Sequence, residues 1–147
     1  MTETDTKIIN HAITRFLARR EHSYAELLEK LLKKGFDENK CEQQLRQFKE
    51  KNIQSNSRFV ESFVRNAYMN GKGPQFIRQS MYQHQINEQD ANEFISSEEF
   101  DWYESATRVR EKRFGSDMPI DFTAKQKQMR FLQYRGFEQA HINHAFE

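Results

Sequence analysis

The sequence predicts an all-α protein made of three tandem three-helix repeats that form a curved, elongated array. Three observations carry this. Strand-like alternation is almost absent, and only two prolines and five glycines punctuate 147 residues. "LLKKGFDENKCEQQL", from Leu31, is echoed by "FLQYRGFEQAHINHAF", Phe131 to Phe146. Both place a basic residue, Gly and Phe in a row, then a polar stretch with apolar residues at helical spacing. The chain is 36% hydrophobic and 31% charged, with a mean hydropathy of -1.00. That is too polar for one thick core. Thirteen phenylalanines exclude a disordered chain. Thin apolar layers under a wetted surface satisfy both.

The first helix is expected over about Asp5–Arg20, with Ile8, Ile9, Ala12, Ile13, Phe16 and Leu17 as its stripe. Ser23 then reads as an N-cap, with Glu26 placed as in a capping box. The helix it opens carries Leu27, Leu28, Leu31 and Leu32. Gly35 ends it in a left-handed cap and Phe36 plugs the core. A third helix follows with Cys41, Leu45 and Phe48.

Shifting by 50 residues lays Leu27 on Ile77, Leu31 on Met81, Phe36 on Ile86, Cys41 on Ala91 and Leu45 on Ile95. Ser23 falls on Gly73, just before Pro74, another way to start a helix. A shift of 101 lays Leu31 on Leu132, Gly35 on Gly136, Phe36 on Phe137, Cys41 on Ile142 and Leu45 on Phe146. An amphipathic helix precedes each aligned pair, near Asp5–Arg20, Asn56–Asn70 and Phe100–Phe114. The expected repeats are therefore residues 1–55, 56–99 and 100–147. Each is too small to be secure alone, and stacking lets neighbours cover one another.

Little points to turnover. Gly71-Lys72-Gly73-Pro74 lacks the spacing and the Ser/Thr of a phosphate-binding loop. Cys41 aligns with Ala91 and Ile142 and reads as a buried apolar residue. One cysteine allows no intramolecular disulfide, which suits a cytoplasmic setting. His141 and His144 lie one turn apart but no further close ligand completes a metal set. Glu98, Glu99 and Asp101 read as a helix cap before Trp102. No signal peptide or long apolar run is evident, so a soluble protein without membrane contact is expected.

Charge is more telling. The net charge is +1, yet basic residues gather in runs. Arg15, Arg19 and Arg20 form one, Lys30, Lys33 and Lys34 a second, and Arg108, Arg110, Lys112 and Arg113 a third. From Phe122 to Phe137 stand Lys125, Lys127, Arg130 and Arg135 without an acid, and from Arg65 to Ile86 only Arg65, Lys72 and Arg78 are charged. Such faces suit phosphates or acidic protein surfaces. Tyr24, Tyr68, Tyr82, Tyr103 and Tyr134 recur nearby, where rings stack on bases or pack.

"FLARREHSYAELLEKLLKKGF" (Phe16–Phe36), "RFVESFVRNAYMNGKGPQFIRQSM" (Arg58–Met81), and "REKRFG" with "KQKQMRFLQYRGF" (Arg110–Gly115, Lys125–Phe137) resemble the RecX family of bacterial regulatory proteins. The resemblance runs from about Ala12 to the end of the chain, with the motifs in the family's order. Gln85 departs from it, standing where the second unit usually has Gly. The resemblance implies a role in DNA repair and the SOS response. A monomer would bind the RecA recombinase filament on single-stranded DNA, lodge along its groove across more than one subunit, and restrain its growth. ATP hydrolysis, strand exchange and co-protease activity would fall as a consequence. It implies no catalytic residue, metal or cofactor. Weak direct DNA binding, with competition for single strands, is the alternative. The candidate contacts, for RecA or for DNA, are Arg19, Arg20, Lys33, Lys34, Arg65, Lys72, Arg78, Arg110, Lys112, Arg113, Lys125, Lys127 and Arg130. Arg58 and Arg113 are also candidates for ion pairs between repeats.

Overall fold

The computed structural model describes residues 3–147. Among these it is all helical: α1 (Glu3–Arg19), α2 (Tyr24–Lys33), α3 (Glu38–Glu50), α4 (Asn56–Met69), α5 (Pro74–Gln83), α6 (Glu88–Ile95), α7 (Trp102–Phe114), α8 (Phe122–Tyr134) and α9 (Gln139–His144). By packing, the chain divides into two compact units. Unit 1 runs to Ser62 and includes His84–Ile86, and unit 2 holds Phe63–Gln83 and Asn87–Glu147.

Side-chain and backbone chemistry at the ends explains where the helices begin and stop. Ser23 Oγ accepts the Glu26 N–H at 3.1 Å, Asp37 accepts from Lys40, Asp101 from Glu104 and Asp121 from Ala124. Glu26 does not complete a capping box at Ser23. Its carboxylate is held instead by Arg20, at 2.6 and 3.1 Å, because a charge-assisted fork outweighs one neutral N–H. At the C-terminus of α2, Gly35 (φ +91°) bonds Leu32 O and Phe36 bonds Leu31 O. At the end of α8, Gly136 (φ +98°) bonds Gln133 O and Phe137 bonds Leu132 O. The same doubly bonded cap thus closes both helices. Gln85 holds the equivalent place at φ +57°, where a side chain is strained.

The aligned apolar positions form the core. Leu27 and Ile77, Leu31, Met81 and Leu132, and Cys41, Ala91 and Ile142 are all buried. In unit 1 they pack with Ile9, Ile13 and Leu45. Burial raises the Cys41 thiol pKa, so this cysteine serves as core. In unit 2, α7 packs on α8 and α9, and Trp102 is buried with its indole N–H on Ile95 O at 2.8 Å. Several expected core residues differ, among them Leu32, which is 38% exposed. Phe137 is a buried plug, whereas Phe36 and Phe146 are only half-buried. Ile8, expected in the α1 stripe, is 47% exposed, because Ile9 and Ile13 already fill the inward face of α1.

The α1–α2 turn and the α4–α5 turn each dock on the turn that follows the next repeat's second helix. In unit 1 the Ser23 hydroxyl lies 2.7 Å from His84 Nδ1. Burial lowers the pKa of His84, whose ring packs against that of Phe59. Beside it, His22 Nδ1 donates to Arg20 O at 3.0 Å, which leaves Nε2 to accept from Lys30 Nζ at 2.9 Å. Arg58 ties Glu21 to the carbonyls of Asn52 and Ile53, an ion pair inside unit 1. In unit 2 the equivalent joint is backbone on backbone: Gly73 N–H donates to Arg135 O (2.9 Å) and Gln75 N–H to Gly136 O (2.8 Å). A Cβ at Gly73 would stand 2.6 Å from Gly136 backbone, and one at Gly136 would stand 2.6 Å from Phe76.

These contacts separate the glycines energetically. Gly35→Ala meets open space and bears only backbone strain, about 1–2 kcal/mol. Gly136→Ala bears similar strain plus a clash worth about 1–3 kcal/mol more. Urea unfolding of the two variants should show Gly136→Ala as clearly the weaker. Equal losses would contradict the close joint.

Acid should loosen the fold. Burial lowers the pKa of His22, His84 and His141 below the usual 6.5. The unfolded chain therefore binds more protons than the native one in the window below 6.5. The stability these residues hold is complete above that value and drains away as pH falls through their folded pKa values. Urea midpoints between pH 7.5 and 5 should drop, and drop less for a His22→Gln chain. A flat profile would count against neutral buried histidines.

Candidate functional site

The structure sorts the candidate cations by what stands opposite each one. Arg110 is a correction. It was expected on a basic face, but its side chain is 1% exposed. It donates from Nε to Ala145 O at 2.9 Å and from Nη1 to Asp117 O at 3.4 Å, with Phe146 under its guanidinium. The inward face of α7, flanked by buried Ser105 and Ala106, leaves room for one long side chain. The C-terminus of α9 offers it a free carbonyl. Arg110 ties α7 to the end of the chain and is not available to a partner.

Four more candidates are engaged within their own unit. Arg20 grips Glu26, whose hydrogen bonds raise the guanidinium pKa. Arg65 meets Glu99 at 2.9 Å. Arg78 bridges Asn92 (3.0 Å) and Glu138 (3.1 Å), linking α5 to α6 and to the start of α9. Lys33 pairs with Glu29 one turn away, both well exposed, so that pair is weak. Lys72 lies 5.0 Å over the Phe76 ring and Lys125 lies 5.8 Å over Phe146. Lys127 and Arg130 are exposed on α8.

The remaining candidates collect in two concave places. In unit 2, α4, α7 and α8 surround a cleft of about 520 Å³. Arg108, Lys112, Arg113 and Arg135 line it with Tyr68, Phe131, Met69 and Val109, and no acid does. The cations lie against rings: Arg108 is 5.7 Å from Tyr68, and Arg113 and Arg135 are 5.3 and 6.0 Å from Phe131. Arg135 also donates to the carbonyls of Asn70 and Gly71, so the cleft and the backbone joint share a residue. Arg108 and Arg135 stand in the basic runs of the sequence yet outside the candidate set. What unites them with Lys112 and Arg113 is the shared cleft around Tyr68 and Phe131, and no sequence spacing shows that. In unit 1, Arg19 and Lys34 line a groove of about 350 Å³ with Arg15 and His11.

Three or more His, Cys, Asp or Glu side chains able to hold an ion are not found together among the described residues. The His141 and His144 rings lie in T-shaped contact with the Tyr103 ring, at 4.7 and 5.4 Å. No helix among the described residues is long and apolar enough to cross a membrane.

Comparison with known proteins fits this architecture. Family models for the first, second and third three-helix domains of RecX match residues 7–47, 55–94 and 99–146. The Regulatory protein RecX of Halorhodospira halophila is 36% identical over 132 residues, 90% of this chain and 82% of that one. That of Legionella pneumophila is 36% identical over 142 residues, 97% of this chain and 94% of its own. The chain belongs to the RecX family. A RecX crystal structure from Lactobacillus salivarius shares its fold, with a TM-score of 0.78 over 98% of this chain and 96% of that one, at 18% identity. These relatives are named as regulatory proteins.

The sorting separates stability from surface chemistry. Arg110→Ala should cost about 1.5–3 kcal/mol, because it strips a charged donor from a buried carbonyl. Lys112→Glu with Arg113→Glu should leave the urea midpoint nearly unchanged. A destabilised double variant, or a neutral Arg110→Ala, would reverse the assignment.

Proposed function

We propose that this RecX-family chain binds the RecA recombinase filament on single-stranded DNA and restrains its growth. ATP hydrolysis, strand exchange and co-protease activity then fall together. The supporting observation is the acid-free cationic cleft of unit 2, on a chain of this regulatory family. A partner rich in phosphates or carboxylates is drawn to such a cleft by charge and held there by its rings. A monomer acting in the cytoplasm and touching more than one filament subunit gains from effective concentration, since a second weak contact follows the first cheaply. Binding then depends on assembled filament. Lys112, Arg113, Arg108 and Arg135 are the proposed contacts. Arg19, Lys34, Lys72, Lys125, Lys127 and Arg130 remain secondary ones.

A second reading, direct competition for single-stranded DNA, is favoured by Tyr68 and Phe131, rings set among cations as in single-strand binders. The two readings separate on stoichiometry and salt. Added to preformed RecA filaments on single-stranded DNA with ATP, the chain should suppress hydrolysis at amounts well below the RecA present. The Lys112→Glu/Arg113→Glu chain should need far more. Suppression only at amounts that coat the DNA, with a steep loss of direct DNA binding as salt rises, supports competition instead.

A further inference from the structure

The groove of unit 1 pairs an apolar floor with a cationic rim. Its floor is apolar: Ile8 on α1 is 47% exposed, and Phe16 and Phe36 are each only partly covered by the core they pack against. Its rim is cationic: Arg15 and Arg19 from α1 and Lys34 from the end of α2, with His11 beside them and no acid. The groove is about 350 Å³, enough for one or two side chains.

The rim cations are not needed to hold the unit together. No acid stands three or four residues from Arg15 or Arg19 along α1, so their own helix offers no counter-charge. Their neighbour Arg20 takes Glu26, and Glu21 goes to Arg58. Lys34 has the Phe16 ring, 5.8 Å away, as its contact. Two of the departures from the expected core meet here as well. Ile8 is turned out of the α1 stripe and Phe36 is left half-buried, so both are apolar surface at the same groove.

We infer that this groove is a docking site for an acidic protein segment that inserts one aromatic or aliphatic side chain between Ile8, Phe16 and Phe36 while its carboxylates meet Arg15, Arg19 and Lys34. An apolar floor with a cationic rim complements that combination. It fits nucleic acid less well, because the floor is an aliphatic and aromatic hollow and offers no open face on which successive bases could stack. The inference deepens the proposed function by giving unit 1 a protein contact of its own, and it rests on the reading of this chain as a regulator that binds protein.

The test uses the intact chain and a short fluorescein-labelled peptide of Glu and Asp around a central Phe, followed by fluorescence anisotropy. Binding should saturate. It should weaken about tenfold or more for Arg15→Glu and for Lys34→Glu, as expected when a charge pair becomes a like-charge clash. Ile8→Gln, which changes no charge, should weaken it too, and so should replacing the peptide's Phe by Ala. A folding control is provided by urea unfolding of each variant, and all three positions are exposed. Absence of saturable binding would overturn the inference, as would affinity unchanged by these substitutions. An oligothymidylate that binds more tightly than the peptide and is lost with the same substitutions would assign the groove to nucleic acid and overturn it equally. Filament hydrolysis measured in parallel keeps the two ideas apart. A chain that binds the peptide at the groove but does not suppress RecA removes the proposed function alone. A chain that suppresses RecA without binding the peptide removes the groove alone.

Discussion

Two short turns in contact, Gly73 against Gly136, set the terms for unit 2. There the start of α5 hydrogen-bonds to the turn that ends α8, backbone to backbone, with no space for a side chain on either partner. The approach lets two N–H groups at the start of α5 be satisfied by two carbonyls just past the end of α8. Unit 1 has the same joint in different chemistry. Ser23 stands where Gly73 does, and it reaches His84 through side chains. The repeat is thus a repeat of joints as well as of helices.

That arrangement decides what the long cations can do. An arginine beside a joint finds carbonyls or a carboxylate in reach and becomes a brace: Arg58 across Glu21, Asn52 and Ile53, Arg135 across Asn70 and Gly71, Arg110 on Ala145. An arginine or lysine a turn further out finds an aromatic ring and keeps its charge toward solvent, as Arg113 does over Phe131 and Lys34 near Phe16. The first kind stabilises, and the second is left for partners. Arg135 belongs to both, which couples the unit 2 cleft to the joint that supports it.

The histidines add a condition to this. His22 fits unit 1 as a neutral ring that accepts from a lysine ammonium, and burial disfavours the charged form of His84 beside the Ser23 hydroxyl. Burial holds both pKa values down, although Glu26 lies close enough to be felt. The first joint is therefore sensitive to acid, whereas the glycine joint of unit 2 has nothing to titrate.

The sequence by itself determined the helices, their caps, the register of the repeats and most of the core. These depend on residues near one another along the chain: Ser23 and Asp101 before a helix, Gly35 and Gly136 after one, and apolar residues at a period near 3.6 that recur at shifts of 50 and 101. Only the tertiary structure decided that Arg110 points inward, that Ile8 points outward, that Phe36 is less covered than Phe137, and that Arg108 and Arg135 join Lys112 and Arg113. A flexible cationic side chain several bonds long takes its role from whichever carbonyl, carboxylate or ring the fold brings opposite it. That partner lies tens of residues away, where local propensity and periodicity have no reach.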